Sequence, residues 1–284
     1  MRLQKRIAAI HDISCLGKCS LTVALPIISA AGIETSVIPT AVLSTHTGGF
    51  TGYTFRDLTD DIAPIAEHWK SLNIGFNAIY TGYLGSIEQV EIVADVIRAL
   101  RGEDTLLVVD PVMADDGKLY VSFPPEFPAE MKKLCRMADV IVPNMTEAAL
   151  LLNREYEKGP YSKEYIEEIL KELAALGPEK IVLTGVHFDE TRLGAAAYDA
   201  KSGRVVYAFE NRVPGLYHGT GDVFASALVS GLVRGKSLEA SCEIAVSFTV
   251  KSIERTRAAG TPAHFGVNFE DGLAGFMSDL GIVD

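Results

Sequence analysis

Residues 223–233 constrain the fold of this chain more than any other stretch. The run Val223-Phe-Ala-Ser-Ala-Leu-Val-Ser-Gly-Leu-Val233 has helical length, but it is apolar on nearly every face. A helix without a polar face belongs in the interior of a large core. Gly235 follows at a suitable distance to end the helix. We therefore expect a sizeable globular domain with this helix inside it.

The turn that precedes this helix has the composition of a phosphate site. It contains Gly219, Thr220, Gly221 and Asp222. Glycines let backbone N–H groups approach a ligand closely, and the unpaired N–H groups and the dipole of a helix N-terminus favour negative charge. Asp222 has two readings: a carboxylate that takes a proton during a reaction, or a side chain that caps the helix. The motif alone leaves both open.

The overall composition excludes several classes of protein. The chain has 284 residues, a hydrophobic content of 48% and a net charge of −11, with a pI near 5.1. This acidic balance argues against a nucleic-acid or anionic-membrane partner. No apolar run approaches a membrane span, and the one after the basic N-terminus is too short for a signal peptide. Four scattered cysteines without redox or zinc spacing predict reduced thiols in the cytoplasm.

Apolar strands and helical periodicities alternate along the chain. The predicted strands are residues 6–12, 35–43, 78–81, 105–110, 140–142, 180–184, 193–198 and 204–209, the last two as a hairpin. The predicted helices are residues 21–31, 62–72, 87–100, 126–136, 145–152, 163–176, 223–233 and 238–256. Residues 44–53 and 113–119 read as irregular loops, and the end of the chain as a short tail. The alternation predicts one α/β domain, residues 1–284, with a mostly parallel sheet between two layers of helices.

Polar residues follow most of the predicted parallel strands. Ligands of such sheets bind at the carboxyl ends of the strands. The residues at those ends are Asp12, Ser44 to Thr47, Gly82 with Tyr83, Asp110, Asn144 with Glu147, and Thr184 with Gly185. Backbone donors for a phosphate together with several carboxylates are the groups that magnesium-dependent phosphoryl transfer requires.

Each of these residues also has a purely structural reading. Asp110 is a common way to end a strand, and Asn144 and Glu147 have the spacing of a capping box. Tyr83 is equally suited to core packing, and His46 to an ordinary loop. Their coincidence at one edge of the sheet favours function over these separate readings.

Two familiar nucleotide motifs are absent. The stretch from Gly231 to Ser237 mimics a P-loop, but three residues separate its glycines instead of four, and it lies at a helix end. Gly219 and Gly221 would begin a dinucleotide fingerprint, but Phe224 stands where a third small residue is needed.

Taken together, the motifs resemble the pyridoxal kinase branch of the ribokinase-like superfamily. The stretch from Gly219 to Asp222 is similar to the superfamily signature. Four further motifs resemble the vitamin B6 kinases more closely: Ser44-Thr-His-Thr47, Thr81-Gly-Tyr-Leu-Gly85, Asp110-Pro-Val112, and Pro143-Asn144 with Glu147. The matches run from residue 7 to about residue 240, so the resemblance covers nearly the whole chain.

The resemblance implies a role for each candidate residue. Gly219, Thr220 and Gly221 would form the anion hole, and Asp222 would deprotonate a 5′-hydroxymethyl group. The substrate side would comprise Asp12, Ser44, Thr47, Tyr83 and Asp222. The ATP side would comprise Asp110, Asp115, Tyr120, Asn144, Glu147, Thr184, Thr220 and Gly221. Asp110 and Glu147 would hold Mg²⁺. Members of the family use ATP and Mg²⁺, often with K⁺, and are usually homodimers.

Three departures from the family pattern bear on the substrate. Asp12 stands where pyridoxal kinases often have Ser, the stretch from Gly17 to Ser20 lacks the usual glycine-rich pattern, and Val142 replaces a common Thr. The first two lie on the substrate side and leave a hydroxymethylpyrimidine kinase, or another small-alcohol kinase, as an alternative. A non-catalytic sensor of pyridoxal or a nucleotide is a further alternative, but such a binder has no need of Asp222 between its glycines.

Overall fold

A computed structural model describes residues 4–283 and contains a central sheet of nine strands. The strands, in chain order, are β1 (Arg6–Ser14), β2 (Glu34–Leu43), β3 (Phe55–Asp57), β4 (Ala78–Thr81), β5 (Leu106–Val109), β6 (Ala114–Asp115), β7 (Lys118–Leu119), β8 (Val140–Ile141), β9 (Lys180–Val186), β10 (Arg192–Asp199) and β11 (Arg204–Asn211). All except β6 and β7, which pair with each other as a small separate hairpin, belong to the central sheet.

The helices alternate with these strands along the chain. They are α1 (Leu21–Ala30), α2 (Thr59–Ser71), α3 (Ile87–Leu100), α4 (Phe127–Cys135), α5 (Met145–Leu152), α6 (Lys163–Ala174), α7 (Thr220–Val233), α8 (Leu238–Ala258) and α9 (Leu273–Asp279). Two single turns of 3₁₀ helix, Ala263–Phe265 and Glu270–Gly272, lie between α8 and α9. Within residues 4–283 no helix is both long and apolar enough to cross a membrane.

The strand order is β11-β10-β9-β8-β5-β4-β1-β2-β3. The six strands from β9 to β2 are mutually parallel, while β10, β11 and β3 are added at the two edges in antiparallel pairs. The predicted α/β class with a mostly parallel sheet is therefore confirmed. The chain runs from β1 to its neighbour β2 and later returns to form β4 on the opposite side of β1. The order in which the chain adds strands therefore reverses between β1 and β4, while the two strands stay parallel. Open α/β sheets bind their ligands at such a reversal.

Two hydrophobic cores cover the two faces of the sheet. Because successive residues of a strand point to opposite faces, Ile7 and Tyr80 pack with α1, α7, α8 and α9, while Ala8 and Ile79 pack with the helices α2 to α6. Helix α7 is buried along almost its whole length and packs against α1 and α8. The burial predicted for the apolar helix is confirmed.

The structure differs from the sequence prediction mainly at the periphery. The exposed three-residue strand β3 pairs with β2 just after the predicted loop, and β6 and β7 organise the loop predicted as irregular. The end of the chain is not merely a tail, because it contains α9 and buries Phe269 and Phe276. Short edge strands and isolated turns carry too few residues for a periodic signal.

Candidate active site

The carboxyl ends of the central strands bring the predicted acids into one electrostatic neighbourhood. Asp12 lies inside β1, two residues before its end, and Asp110 directly follows β5. The charge of Asp12 raises the pKa of Asp222, and the charges of Glu147 and Asp222 raise the pKa of Asp110. Four acidic residues from distant parts of the chain therefore lie close enough to influence one another. Such a cluster of perturbed carboxyl groups is typical of a functional site.

The N-terminus of α7 is open toward this cluster. Gly219 is the N-cap residue with a left-handed φ of 74°, and a Cβ there would lie 2.2 Å from the backbone oxygen of Lys18. A Cβ on Gly221 would meet no atom within 4 Å. The fold itself therefore requires glycine at position 219, whereas position 221 borders open space. The Thr220 hydroxyl donates to the Tyr217 carbonyl at 3.2 Å.

Asp222 is not a helix cap. It lies in the first turn of α7, three residues after the N-cap, and the helix has no side-chain capping hydrogen bond. Burial raises the pKa of Asp222 to about 7, while a hydrogen bond from the backbone of Ser20 lowers it and the charge of Asp12 raises it. A carboxyl group with a pKa near neutrality suits a general base. The capping reading is wrong, and Asp222 is available to accept a proton.

Asp12 is buried and held by neighbouring serines. The Ser14 hydroxyl donates to Oδ2 of Asp12 at 3.1 Å. Burial raises the pKa of Asp12, and hydrogen bonding by the Ser20 and Ser14 hydroxyls opposes this rise. Oδ1 of Asp12 is shielded from water, and no donor reaches it with good hydrogen-bond geometry. This oxygen is therefore suited to accept a hydrogen bond from a ligand.

Asn144 and Glu147 form the capping box at the start of α5. The Glu147 N–H donates to Asn144 Oδ1 at 2.9 Å, and the Asn144 N–H donates to Glu147 Oε2 at 2.9 Å. The other carboxylate oxygen of Glu147 accepts from the Met113 N–H at 3.0 Å, and the Asn144 amide donates to the Ala114 carbonyl at 2.8 Å. Burial nevertheless raises the pKa of Glu147 to about 8. The structural reading of this pair is confirmed, and the pair also anchors the segment after Asp110.

The acids at this edge of the sheet fit a Mg²⁺ ion. Burial raises the pKa of Asp110 well above its ordinary value, and the charges of Glu147 and Asp222 raise it further. A cation among these groups would relieve their mutual repulsion. Among residues 4–283 no three histidine, cysteine or acidic side chains form a ready-made metal cluster. Mg²⁺ is commonly held by one or two carboxylates, its remaining ligands being water and phosphate oxygens.

The remaining substrate-side candidates lie on three segments. Tyr83 follows β4, and its ring packs against the ring of Phe123 with centroids 5.5 Å apart. Burial raises the pKa of Tyr83, and a hydrogen bond with Ser122 lowers it. The Ser44 hydroxyl oxygen accepts from the Thr54 N–H at 2.9 Å and so helps to close the loop after β2. Thr47 is exposed on that loop.

The ATP-side candidates surround the same acids. Burial raises the pKa of Tyr120, as do the charges of Glu147 and Asp115. Asp115 is exposed in the small hairpin and accepts from the Asp116 N–H at 2.9 Å. Thr184 is half-buried in β9 and donates its backbone N–H to the Pro143 carbonyl at 2.9 Å. Tyr120 and Asp115 therefore lie near Glu147, and Thr184 lies beside Pro143, which directly precedes Asn144.

Three histidines that the sequence motifs did not connect meet beside the α7 turn. The rings of His46 and His218 are 5.2 Å apart, and His46 Nε2 donates to the His264 carbonyl at 2.8 Å. His46 Nδ1 accepts from the Gly48 N–H at 3.1 Å, which assigns the neutral tautomer. These contacts hold the loop of Thr47 near α7. No local pattern links residues so far apart in the chain.

The chain is similar in sequence and in structure to several known proteins. The sequence model of the phosphomethylpyrimidine kinase family matches residues 26–268. A solved protein from Bacteroides thetaiotaomicron, provisionally named phosphomethylpyrimidine kinase and crystallised in an orthorhombic form with pyridoxal, is 39% identical, with a TM-score of 0.92 and 96% of each chain covered. Pyridoxal kinase from Lactobacillus plantarum is 33% identical, with a TM-score of 0.88 over 96% of this chain and 97% of that one. Pyridoxal kinase from Ovis aries is 28% identical over 246 residues, which cover 79% of this chain and 77% of that protein.

Proposed function

Because this chain belongs to the phosphomethylpyrimidine kinase family and its motifs resemble those of the pyridoxal kinases, we propose that it phosphorylates the 5′-hydroxymethyl group of pyridoxal, pyridoxine or pyridoxamine at the expense of ATP. The pyridoxal kinase relatives support the substrate class. The kinase with the B6 vitamers as substrates is the reading that the sequence resemblance favoured.

Asp222 carries the proposal. It is half-buried at the start of α7, its pKa is raised to about 7, and the neighbouring Gly221 borders open space. A carboxylate beside a phosphate is repulsive unless it takes up a proton, and the hydroxyl of an alcohol substrate supplies one. Asp222 would accept that proton as the hydroxyl oxygen attacks the γ-phosphorus of ATP, while the bond from this phosphorus to the β,γ-bridging oxygen breaks and ADP leaves.

The turn of residues 219–221 would receive the transferred phosphoryl group. Its backbone N–H groups lie at a helix N-terminus without a side-chain cap, so they are free to donate to phosphate oxygens. Asp110 and Glu147 would hold Mg²⁺, which would neutralise charge on the phosphates when bound. The same two carboxyl groups repel each other in its absence.

The remaining candidates divide between the two substrates. Asp12, Ser44, Thr47 and Tyr83 would bind the pyridine, with the open oxygen of Asp12 accepting from a donor on the ring. The ATP side would comprise Asp110, Asp115, Tyr120, Asn144, Glu147, Thr184, Thr220 and Gly221. The Tyr120 hydroxyl is neutral at pH 7, so it can donate to a phosphate oxygen.

One measurement tests this function. ATP consumption is followed with pyridoxal, pyridoxine, pyridoxamine, hydroxymethylpyrimidine and simple sugars, with Asp222→Asn as the control. We expect turnover with the B6 vitamers that the control lacks. A preference for hydroxymethylpyrimidine would instead support the alternative after which the family is named. Binding of pyridoxal without turnover would support the sensor.

The wider assembly is part of the proposal. We propose one kinase domain that acts in the cytoplasm as a homodimer and uses Mg²⁺, with K⁺ as a further activating ion. The continuous nine-stranded sheet supports the single domain. The four cysteines, all free in the structure, agree with a reducing compartment.

A further inference from the structure

Lys18 connects the end of the chain to the loop between β1 and α1. Its ammonium group donates to Asn268 Oδ1 at 3.0 Å and to Glu270 Oε2 at 2.9 Å, and it lies 5.9 Å from the centre of the Phe269 ring. A Cβ on Gly266 would lie 2.5 Å from the Gly17 carbonyl oxygen, so the two backbones touch. Residues 266–270, here called the C-terminal anchor, therefore contact this loop at several points.

The same loop also contacts the turn of residues 219–221 at the start of α7, here called the catalytic turn. The Lys18 carbonyl oxygen abuts Gly219, where only a hydrogen fits, and the Cys19 sulfur would be 3.4 Å from a Cβ at that position. The backbone N–H of Ser20 lies close enough to the carboxylate of Asp222 to lower its pKa. The Ser20 hydroxyl acts on the second carboxylate, Asp12. Three consecutive residues thus contact the phosphate turn, the base and the substrate-side acid.

The backbone of this loop is strained. Lys18 and Ser20 have φ values of 51° and 56°, in the region that residues with a Cβ avoid. Such conformations persist only where surrounding contacts enforce them. Ser20 is the N-cap of α1 without a side-chain capping bond, but its carbonyl accepts from the Val23 and Ala24 N–H groups and it forms an isolated bridge with Ile13. The contacts of Lys18 with the anchor add a second set of restraints on this loop.

The anchor itself is well held. The Asn268 N–H donates to the Thr256 hydroxyl at 2.7 Å, and the Asn268 side chain donates to the Thr261 hydroxyl at 3.0 Å. The Arg255 guanidinium donates to the Asn268 carbonyl at 2.9 Å. Thr256 and Arg255 belong to the long helix α8. The anchor is therefore a rigid platform fixed to the core of the molecule.

We propose that Lys18 is a positioning residue. Its bonds to the C-terminal anchor hold residues 18–20 against the catalytic turn. This inference rests on the proposed kinase function, in which Gly219 and Asp222 take part. A shift of the loop would move the Ser20 donor away from Asp222 and release the contact on Gly219. Small displacements of reacting groups cost large factors in rate.

Lys18 is favourable for a test because its ion pair is partly exposed. The side chains of Lys18 and Glu270 are 30% and 50% exposed, and exposed pairs contribute little to global stability. Loss of the pair should therefore disturb the strained loop without unfolding the protein. Rate and stability can then be measured as separate quantities.

The test compares Lys18→Met, Lys18→Arg, and the charge exchange Lys18→Glu with Glu270→Lys. We expect Lys18→Met to lower kcat on pyridoxal by about tenfold, with an almost unchanged KM for ATP and Tm. Lys18→Arg should keep most of the rate. Each half of the exchange should lower kcat, and the double variant should recover it. Arg204→Met is the matched control, because it removes an exposed pair with Glu239 at the opposite edge of the sheet.

A second readout does not depend on activity. Backbone hydrogen exchange in residues 18–22 should accelerate in Lys18→Met, while exchange in α8 stays as in the wild type. Wild-type kcat and exchange in Lys18→Met would overturn the inference, as would equal loss in Lys18→Met and Lys18→Arg. A wild type that phosphorylates none of the alcohols would refute the proposed function instead. The exchange measurement would then decide the positioning role by itself.

Discussion

At the scale of single residues, the site depends on how each carboxyl group is solvated. Asp12 is buried and Asp222 is half-buried, and the charge of Asp12 disfavours the ionised form of Asp222. Asp222 has a backbone donor from Ser20, whereas Asp12 has hydroxyl donors from Ser14 and Ser20. In the first environment the carboxyl group of Asp222 has a pKa of about 7. The second leaves one buried carboxylate oxygen without a hydrogen-bond donor.

Asp222→Asn tests the base. The amide keeps the size of the carboxyl group but cannot take the proton, so kcat should fall by about 10²- to 10⁴-fold. ATP binding should survive, because the N–H groups of the turn are unchanged. Steady-state turnover with pyridoxal and calorimetric titration with a non-hydrolysable ATP analogue measure the two quantities. Near-normal turnover would show that Asp222 has no catalytic role.

Asp12→Ser tests substrate choice. Loss of one charge-assisted hydrogen bond costs roughly 1.5–3 kcal/mol, and the new hydroxyl should recover part of it for a pyridine ring. We therefore expect a modest fall of kcat/KM on pyridoxal, about tenfold or less. On hydroxymethylpyrimidine the loss should be much larger if Asp12 binds an amino group. Equal losses on both substrates would mean that Asp12 does not discriminate between them.

At the scale of elements, two helices start at the same edge of the sheet with different N-termini. In α5 the capping box of Asn144 and Glu147 uses the first N–H groups internally. In α7 the cap is a left-handed Gly219 without a side chain, so the first N–H groups have no side-chain partner. Both helix dipoles favour an anion, but only α7 leaves its donors free. We therefore assign the proposed phosphate site to α7.

Gly219→Ala and Gly221→Ala separate the fold from the phosphate site. At position 219 the methyl group would collide with the Lys18 carbonyl and the φ of 74° would be strained, so stability should fall by about 1–3 kcal/mol. At position 221 the methyl group meets no protein atom. Tm should then hold while kcat/KM for ATP falls at least about tenfold, since the methyl group occupies the phosphate's approach. Thermal denaturation and ATP kinetics measure both; unimpaired kinetics in Gly221→Ala would exclude a phosphate there.

Glu147→Gln separates capping from ion binding. The two oxygens of Glu147 accept from the N–H groups of Asn144 and Met113, and Gln keeps only one acceptor oxygen. The substitution should therefore cost about 1–3 kcal/mol of stability for the unpaired donor. It should also raise the Mg²⁺ concentration needed for half-maximal activity, because a charge is lost. A magnesium titration that matches the wild type would leave Glu147 with its structural role alone.

At the scale of the whole molecule, the strand order gathers the acids. Asp12, Asp110 and Glu147 are far apart in sequence, but β1 lies on one side of the reversal and β5 and β8 lie on the other, so the three residues meet across it. In the described part of the chain, these carboxyl groups lie together, and no cationic side chain of the cluster compensates their charge. Keeping these carboxyl groups ionised in the folded protein costs free energy, so we expect their ionisation to lower the free energy of unfolding.

Stability of the ligand-free protein should fall as the pH rises. The pKa values of Asp222 and Glu147 are raised to about 7 and about 8, above the ordinary values of 3.8 and 4.5. Folding therefore favours their protonated forms, and this contribution is full at low pH and lost as the pH rises through 7 and 8. Tm measured between about pH 5 and pH 9 should decline, and less steeply in Asp222→Asn. An unchanged slope in that variant would contradict the raised pKa of Asp222.

Local pattern determined much of this protein. The apolar run of α7, the glycines of its N-terminus and the capping box at Asn144 each depend on residues within about two helical turns, so the sequence alone indicated them. The alternation of strands and helices likewise predicted the parallel sheet, and the rule on strand ends pointed to Asp12 and Asp110.

Only the tertiary structure decided the contacts between distant segments. Lys18 meets Asn268 across 250 residues, and His46 meets His264 across 218. The same packing decided that Asp222 is not the N-cap of α7 and that its pKa is raised, since that pKa depends on burial, Ser20 and Asp12. Such contacts arise when separate elements are packed around one core, and their energies depend on burial and distance. Neither quantity is encoded in the spacing of residues along the chain.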